Sequence, residues 1–338
     1  MNGRQRILAA AARRPVDMLP VMPQIFGHAA VLAGIPLADY LGDGELVATC
    51  QVAAWRHYGH DAVFGFLDAA VETEAMGAEI AAKPGCYPHV VRSPFTVDAD
   101  FAAVAPPDPV AAGRMPEVLQ AIRLLRAAVA DEALVVGCVQ GPATLAAQLV
   151  GLEQSLFLAA DDPAAYARLL DLATAVGVRY GAAQLTAGAD LALIFEPVAS
   201  STVLPLSKFT DLVLPRLRTI LAAFQRAGAV TSWLHVAGAS LPILPFYSEA
   251  GVAIGSFDYC VSPIAARRAA PTLCLCGNIK PLSFVIDPPA EIEREVAALR
   301  AAMADGSGFI LSSGCEIPPE APPDRVMAMM AAAGRGGG

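Results

Sequence analysis

The sequence has no cluster of basic residues and no long apolar run, and each of these gaps excludes a class of protein. Lysine and arginine total 23 against 32 aspartate and glutamate, which gives a formal net charge of −9 and a pI near 5.0. Because nucleic-acid binding draws most of its affinity from clustered lysine and arginine, no nucleic-acid partner is expected. No segment reaches about 18 consecutive apolar residues, and no apolar core of signal-peptide length precedes Pro15. We expect a soluble, cytoplasmic protein with no membrane partner.

Paired cysteines and phosphate-binding glycine loops are also missing. The seven cysteines are an odd number without a CxxC spacing, so free thiols or thiolate ligands are expected rather than a disulfide framework. Neither GxGxxG nor GxxxxGKS occurs, which argues against a nucleotide cradle of either kind.

What the sequence does contain is a regular alternation of apolar runs and helical stretches. With 338 residues, 55% of them hydrophobic, the chain can bury one large core or two small ones. Short β-like runs lie at 19–24, 61–68, 134–141, 191–197, 230–238, 251–258, 272–279 and 308–315. Helices are expected around 44–58, 117–130, 144–158, 164–187, 207–227, 240–250, 262–269 and 289–304. Eight apolar strands, each followed by a helix, predict a single-domain α/β protein with a parallel (β/α)₈ TIM barrel.

Nearly every predicted strand ends on a polar or reactive residue. These residues are Gln24, Asp68, Gln140, Glu196, His235, Asp258, Asn278 and Cys315. The carboxyl ends of barrel strands meet at one mouth, so the set predicts an enzyme site there. The alternative is that strands end in polar residues because loops begin there.

The barrel is expected to span residues 14–332, after an N-terminal extension of 1–13 and before a flexible tail at 333–338. The proline-rich segment 80–116 is expected to be an excursion from the barrel that covers part of the mouth.

Several stretches carry a family resemblance. "RRPVDMLPVMP", "YGHDAVFGFLDAAVETEAMGAEI", "QGPATLAAQLVG", "AGADLALIFEPVAS", "GVAIGSFD", "CGNIKP" and "ILSSGCEIPPEAPPDRV" follow one another in the order seen in the uroporphyrinogen decarboxylase superfamily. Over roughly 14–330 the chain resembles that superfamily, and most closely its methylcobalamin:coenzyme M methyltransferase branch. The resemblance implies a (β/α)₈ barrel with its site in the mouth.

The decarboxylase branch is matched only in part. It binds a tetrapyrrole with many carboxylates through arginines near the first strand, where this chain reads "MPQIFGHAA" and offers Gln24. Asp68 is the counterpart of the decarboxylase's catalytic aspartate, but methyltransferase relatives keep an acid there too. The decarboxylase's tyrosine falls near Gln148, and its late histidine falls in "SSGCE". Decarboxylation in its familiar form is therefore not expected.

The methyltransferase branch implies a zinc site with one ligand altered. Its zinc activates a thiol, and the ligands are the His and Cys of "HxCG" and the Cys of "SSGCE". This chain supplies His235, Gly238 and Cys315 but has Ala237 at the middle cysteine. A catalytic zinc normally has three protein ligands, so His235 and Cys315 alone are too few.

Three possibilities remain open for the site. Glu196 completes a His/Glu/Cys set, with Glu196 also serving as a catalytic residue beside Asp68. Alternatively, Cys276 of the "CLC" pair, Cys274 and Cys276, approaches the mouth from its own strand. In the third case no metal binds.

Taken together, the sequence predicts a corrinoid-dependent methyltransferase. It would move a methyl group between a methylcorrinoid carried on a separate corrinoid-binding protein and a small acceptor such as a thiol, activated by zinc at the barrel mouth. Gln24, Gln140, Asp258 and Asn278 are the candidate substrate-binding residues. The rival interpretations are a decarboxylase-like lyase on a tetrapyrrole-type substrate and a barrel that binds a corrinoid or tetrapyrrole without catalysis.

Overall fold

The computed structural model describes residues 1–303 and 308–335. Its strands are β1 (Ala62–Gly65), β2 (Glu79–Ala81), β3 (His89–Arg92), β4 (Leu134–Gln140), β5 (Leu191–Phe195), β6 (Trp233–His235), β7 (Ile254–Ser256), β8 (Cys274–Ile279) and β9 (Phe309–Ser313). The α-helices are α1 (Gly3–Ala11), α2 (Gly27–Leu32), α3 (Leu37–Tyr40), α4 (Gly44–Tyr58), α5 (Val71–Ala75), α6 (Met115–Val129), α7 (Pro142–Val150), α8 (Leu152–Asp161), α9 (Pro163–Ala187), α10 (Leu206–Lys208), α11 (Leu214–Arg226), α12 (Tyr247–Ala250), α13 (Pro263–Ala269), α14 (Ser283–Ile286), α15 (Pro289–Ala302) and α16 (Pro323–Ala332). Short 3₁₀ turns cover Pro197–Ala199 and Leu244–Phe246, and a π-helical turn covers Phe209–Val213.

The main sheet is parallel and closes on itself. Seven strands pair in the order β1, β4, β5, β6, β7, β8, β9. Val21 then pairs in parallel with Leu311 of β9, and its carbonyl oxygen accepts from the Asp61 amide at 2.8 Å, next to β1. The predicted (β/α)₈ barrel is confirmed, because each of the eight apolar runs contains a strand or this closing bridge.

Side-chain alternation divides the apolar residues into two buried groups. Phe64, Val136 and Trp233 belong to the group inside the barrel, whereas Val63 and Val135 belong to the group between the sheet and the helices. Successive residues of a strand point to opposite faces, and burial of both faces explains the continuous apolar runs. Cys274 and Cys276 are fully buried members of the inner group, so the "CLC" pair packs the core and does not line the mouth.

Local capping explains why helix α4 occupies its predicted range. The Asp43 carboxylate accepts from the amides of Glu45 and Leu46, and Gly59 ends the helix with a left-handed φ of 70°. The helix predicted over 144–158 is instead two helices, α7 and α8, bent by 110° at Gly151, whose φ is 92°. In the described ranges no single helix has the length and hydropathy of a membrane span, and α7 with α8 reaches them only as this bent pair.

Two segments outside the barrel strands cover its ends. Helix α1 packs Ile7 and Ala10 into the inner apolar group. At the same end, Asp61 is ion-paired with Arg6 at 2.6 Å and also with Arg335. Strands β2 and β3 form an antiparallel hairpin within the proline-rich segment, and the hairpin tip carries Tyr87. Of the predicted tail, residues 336–338 lie outside the described residues, as does residue 304 of the predicted last long helix.

Candidate active site

A cavity of about 300 Å³ opens at the carboxyl ends of the barrel strands. We call it the mouth cavity. Its lining residues are Gln24, Phe26, Phe66, Asp68, Ala69, Tyr87, Pro88, Gln140, Phe195, Pro197, His235, Ala237, Cys315 and Glu316. Five of the predicted strand-end residues therefore meet here: Gln24, Asp68, Gln140, His235 and Cys315.

Three buried polar atoms of the mouth cavity have no protein partner. They are Gln24 Oε1, Gln140 Nε2 and His235 Nε2, and each of these residues is at most 2% exposed. Buried polar groups are almost always hydrogen-bonded, because an unpaired one loses its interaction with water without compensation. Such atoms on residues that line one cavity are typical of a site that a polar ligand completes.

Gln24 and His235 act as a pair. Gln24 Nε2 lies 3.2 Å from His235 Nδ1, and burial lowers the pKa of His235 to about 4, so the ring is neutral at pH 7. When the Gln24 amide donates to Nδ1, the ring proton is on Nε2, which then donates into the cavity. When the amide is turned so that Oε1 accepts from Nδ1, Nε2 becomes an acceptor. The pair can therefore present either hydrogen-bonding role to a ligand.

Asp68 lines the cavity and is ion-paired with Arg114. Its Oδ2 lies 2.5 Å from Nη1 of Arg114, and its Oδ1 accepts from the Ala70 amide at 2.8 Å. Arg114 is also paired with Glu74 at 2.7 Å. The predicted catalytic carboxylate is thus neutralised and fixed in orientation, which suits positioning more than free proton transfer.

Glu196 does not line the mouth cavity, although it directly follows Phe195, the last residue of β5. It is fully buried behind helix α7, where its Oε1 accepts from the Thr144 amide at 3.0 Å. Burial raises the pKa of Glu196 to about 8 and keeps it largely protonated at pH 7. Its Oε2 faces Gly141, where an added Cβ would overlap the carboxyl group. Glu196 therefore caps the first turn of α7 instead of facing the ligand space.

The predicted zinc ligands are consequently not assembled. His235, Ala237 and Cys315 line the mouth cavity together, but Glu196 is directed elsewhere. Burial raises the pKa of the Cys315 thiol to about 11. Across residues 1–303 and 308–335 there is no group of three His, Cys, Asp or Glu side chains arranged for a metal. The residues present do not fit a three-ligand zinc site.

Asp258 and Asn278, predicted to contact substrate, stabilise loops in this structure. The Asp258 carboxylate accepts from the amides of Gly238 and Cys260, at 2.9 and 3.0 Å. Asn278 Nδ2 donates to the carbonyl oxygens of Asp258 and Val261. Neither side chain lines the mouth cavity. These bonds correspond to the loop role that was the alternative for polar strand ends.

Sequence reasoning missed the aromatic wall and one polar pair of the cavity. The rings of Phe26, Phe66 and Phe195 contact one another with centroids 4.8 to 6.0 Å apart. Phe66 precedes Asp68 by two positions, and this strand periodicity was an available signal. Tyr87 comes from the hairpin tip and hydrogen-bonds to Glu316, whose pKa burial raises to about 7. No local pattern indicates that residue 87 reaches the mouth.

Comparison with known proteins decides the family. The family model described as uroporphyrinogen decarboxylase (URO-D) matches residues 2–335. The chain belongs to the uroporphyrinogen decarboxylase family. Within that family it is 29% identical to the methylcobamide:CoM methyltransferase MtaA of Methanosarcina barkeri, over 97% of this chain and 96% of the relative. It is also 29% identical to a uroporphyrinogen decarboxylase of Anaeromyxobacter sp. (strain Fw109-5), over 96% of each chain.

A solved structure shares this fold over nearly the whole chain. A methyltransferase from Methanosarcina mazei superposes with a TM-score of 0.90 at 28% identity, covering 99% of this chain and 98% of that one. Family members are methyltransferases or decarboxylases, so membership supports an enzyme with a methyltransferase-like activity. Because both branches match at similar identity, the choice between them depends on the chemistry of the mouth.

Proposed function

We propose that this protein transfers a methyl group between a methylcorrinoid carried on a separate corrinoid-binding protein and a small acceptor that enters the mouth cavity. The similarity to the methylcobamide:CoM methyltransferase and to the Methanosarcina mazei methyltransferase supports this proposal. A corrinoid partner would bring its methyl group to the rim of the barrel, above the ends of the strands.

One observation carries the choice of this branch over decarboxylation. The lining of the mouth cavity, all of it within the described residues, contains no lysine or arginine. A tetrapyrrole with many carboxylates would lose its hydration there without gaining a cationic partner. Arg114, which contacts the lining residue Asp68, is already paired with Asp68 and Glu74. A small acceptor needs no such cations.

The chain's own residues would bind and orient the acceptor. When bound, a methylcorrinoid would supply an electrophilic methyl group and would keep the electron pair of its cobalt–carbon bond as that bond breaks. The acceptor would form the new bond with a lone pair on its X–H atom and would release the X–H proton to solvent. With the amide oriented as in the structure, Gln24 Nε2 donates to His235 Nδ1, and Gln24 Oε1 can accept the X–H hydrogen bond. The wall of Phe26, Phe66 and Phe195 excludes water from the reacting atoms. Since the donors do not fit zinc, no metal takes part in this proposal.

The test supplies free methylcobalamin as the donor and a panel of small thiols as acceptors. We expect methylated thiol, detected by mass spectrometry, in the presence of the protein. His235→Ala should lower kcat/KM by roughly 10- to 100-fold, because Gln24 loses the partner that orients its side-chain amide. His57→Ala is the matched control, because His57 is exposed on helix α4.

Two other results would contradict the proposal. Release of CO₂ from uroporphyrinogen without methyl transfer would favour the lyase. Tight binding of a corrinoid or tetrapyrrole with neither reaction would favour a binding protein without catalysis.

A further inference from the structure

We propose that the part of the acceptor that enters the mouth cavity is uncharged and is recognised through hydrogen bonds by Gln24 and Gln140. This inference rests on the proposed methyl transfer and specifies its substrate class. It sets this chain apart from a relative named for coenzyme M, an acceptor with a sulfonate group.

The two glutamines provide complementary unpaired atoms on the cavity wall. Gln24 Oε1 can only accept a hydrogen bond, and Gln140 Nε2 can only donate one. Backbone hydrogen bonds hold both residues in place. The backbone N–H of Gln140 donates to Glu72 Oε1 at 2.7 Å, and the backbone N–H of Gln24 donates to Ser313 Oγ at 3.1 Å. A ligand with one donor and one acceptor, such as an alcohol or an amide, would satisfy both atoms. A ligand lacking them would leave buried polar atoms unpaired, which sites of this kind reject strongly.

The charges around the cavity disfavour an anion. Asp68 and Glu316 are the acidic residues among its lining, and no lysine or arginine lines it within the described ranges. Arg114 compensates Asp68, but its remaining contacts go to Glu74 and to the Leu41 carbonyl oxygen. A sulfonate or carboxylate would therefore face carboxyl groups and two amides without a cation, which opposes its transfer from water.

The size and wall of the cavity limit the ligand further. A volume of about 300 Å³ is at the lower end of the range for small-molecule sites. The rings of Phe26, Phe66 and Phe195 cover one side of it with apolar surface. The geometry favours a compact, neutral acceptor with a polar end and a short apolar stem.

The experiment compares two acceptors that differ only in their charged end. With methylcobalamin as donor, kcat/KM is measured for 2-mercaptoethanol and for 2-mercaptoethanesulfonate. We expect the neutral thiol to be preferred by at least about tenfold, the order expected when one buried contact is unmatched. Equal rates, or a preference for the sulfonate, would overturn the inference.

Added positive charge should move this preference in a known direction. Ala69 is exposed and lines the cavity, so Ala69→Arg places a cation at the rim without removing a contact of a side chain. We expect it to shift the preference toward the sulfonate by about threefold to tenfold, as one charge at a partly solvated site does. Ala222→Arg is the matched control on the exposed face of helix α11 and should leave the preference unchanged. An unchanged preference in Ala69→Arg would also overturn the inference.

A binding measurement separates this inference from the proposed function. The two S-methylated products are compared for their effect on the thermal unfolding midpoint, which needs no turnover. If neither thiol is methylated, the proposed function fails. The comparison of the two S-methylated products still decides the charge preference. Stabilisation by the neutral product alone supports the inference, and equal or stronger stabilisation by the sulfonate refutes it.

Discussion

Gly141→Ala tests whether Glu196 stabilises the first turn of helix α7. Gly141 has an ordinary φ of −73°, so alanine fits its backbone. An added Cβ would nevertheless lie 2.5 Å from Glu196 Cδ and 2.8 Å from Glu196 Cβ. Since the overlap involves the base of that side chain as well as its end, Glu196 would have to move and release the Thr144 amide.

The magnitude follows from two separate losses. Overpacking a filled interior costs about 1–3 kcal/mol. Losing a cap on the first turn of a helix costs about 0.5–2 kcal/mol. We therefore expect Gly141→Ala to lower the free energy of unfolding by about 1.5–5 kcal/mol. At a helical position with free space around the glycine, the same change would instead raise the free energy of unfolding.

The assay is urea unfolding of a double-mutant cycle. In Gly141→Ala/Glu196→Ala the new methyl group enters vacated space, so the pair should be less destabilised than the sum of the single variants by about 1–3 kcal/mol. Gly177→Ala, within α9, is the matched control: its Cβ would lie 3.6 Å from both the Gln140 carbonyl oxygen and Ile220 Cδ1, which is ordinary contact. It should stabilise the protein by about 0.5–1 kcal/mol. Strict additivity of the two single variants, or a neutral Gly141→Ala, would refute the argument.

Three further predictions concern acid stability, metal binding and a buried ion pair. Burial lowers the pKa of His60 to about 3, so the free energy of unfolding should decrease as pH falls from about 6.5 toward 3. In urea titrations, His60→Leu should reduce the slope of that decrease by up to about 1.4 kcal/mol per pH unit. An unchanged acid limb in that variant would count against it. Ala237→Cys, beside His235 and Cys315, should raise zinc content to about one per chain by elemental mass spectrometry, while the wild type stays well below that; equal contents would contradict the ligand argument. Arg114→Met should lower the unfolding free energy by about 3–5 kcal/mol because it leaves a buried carboxylate unpaired, and a loss under 1 kcal/mol would be the contrary result.

The barrel was predictable because both faces of its strands are buried. Apolar runs without alternation, each followed by a helix, specify a parallel sheet covered on both sides. The β2 and β3 hairpin escaped prediction because its short strands are mostly exposed and have no apolar pattern. The break between α7 and α8 escaped as well, since it depends on the positive φ of one glycine, Gly151, within a run of good helix formers.

The strand-end rule identified several residues that share one cavity, but it could not fix every side-chain direction. It placed Gln24, Gln140 and His235 correctly at one cavity. The rule expected β5 to end at Glu196, but the strand ends one residue earlier, at Phe195. As a result, Phe195 lines the mouth cavity, and Glu196 leaves the strand with φ −132° and ψ 48°. The space at Gly141 that receives Glu196 is a tertiary feature, and the zinc prediction failed to anticipate it.

The closing bridge between Val21 and Leu311 also has a consequence during synthesis. Its neighbouring hydrogen bond, from Ser312 to the Met22 carbonyl oxygen, joins residues 290 positions apart. At about 5–20 residues per second, a ribosome needs roughly 15–60 s to make the intervening chain. Through that time the first strand lacks one of its two neighbours, and an unpaired strand edge is prone to aggregation. The nascent chain is therefore expected to depend on chaperones until its last strand emerges.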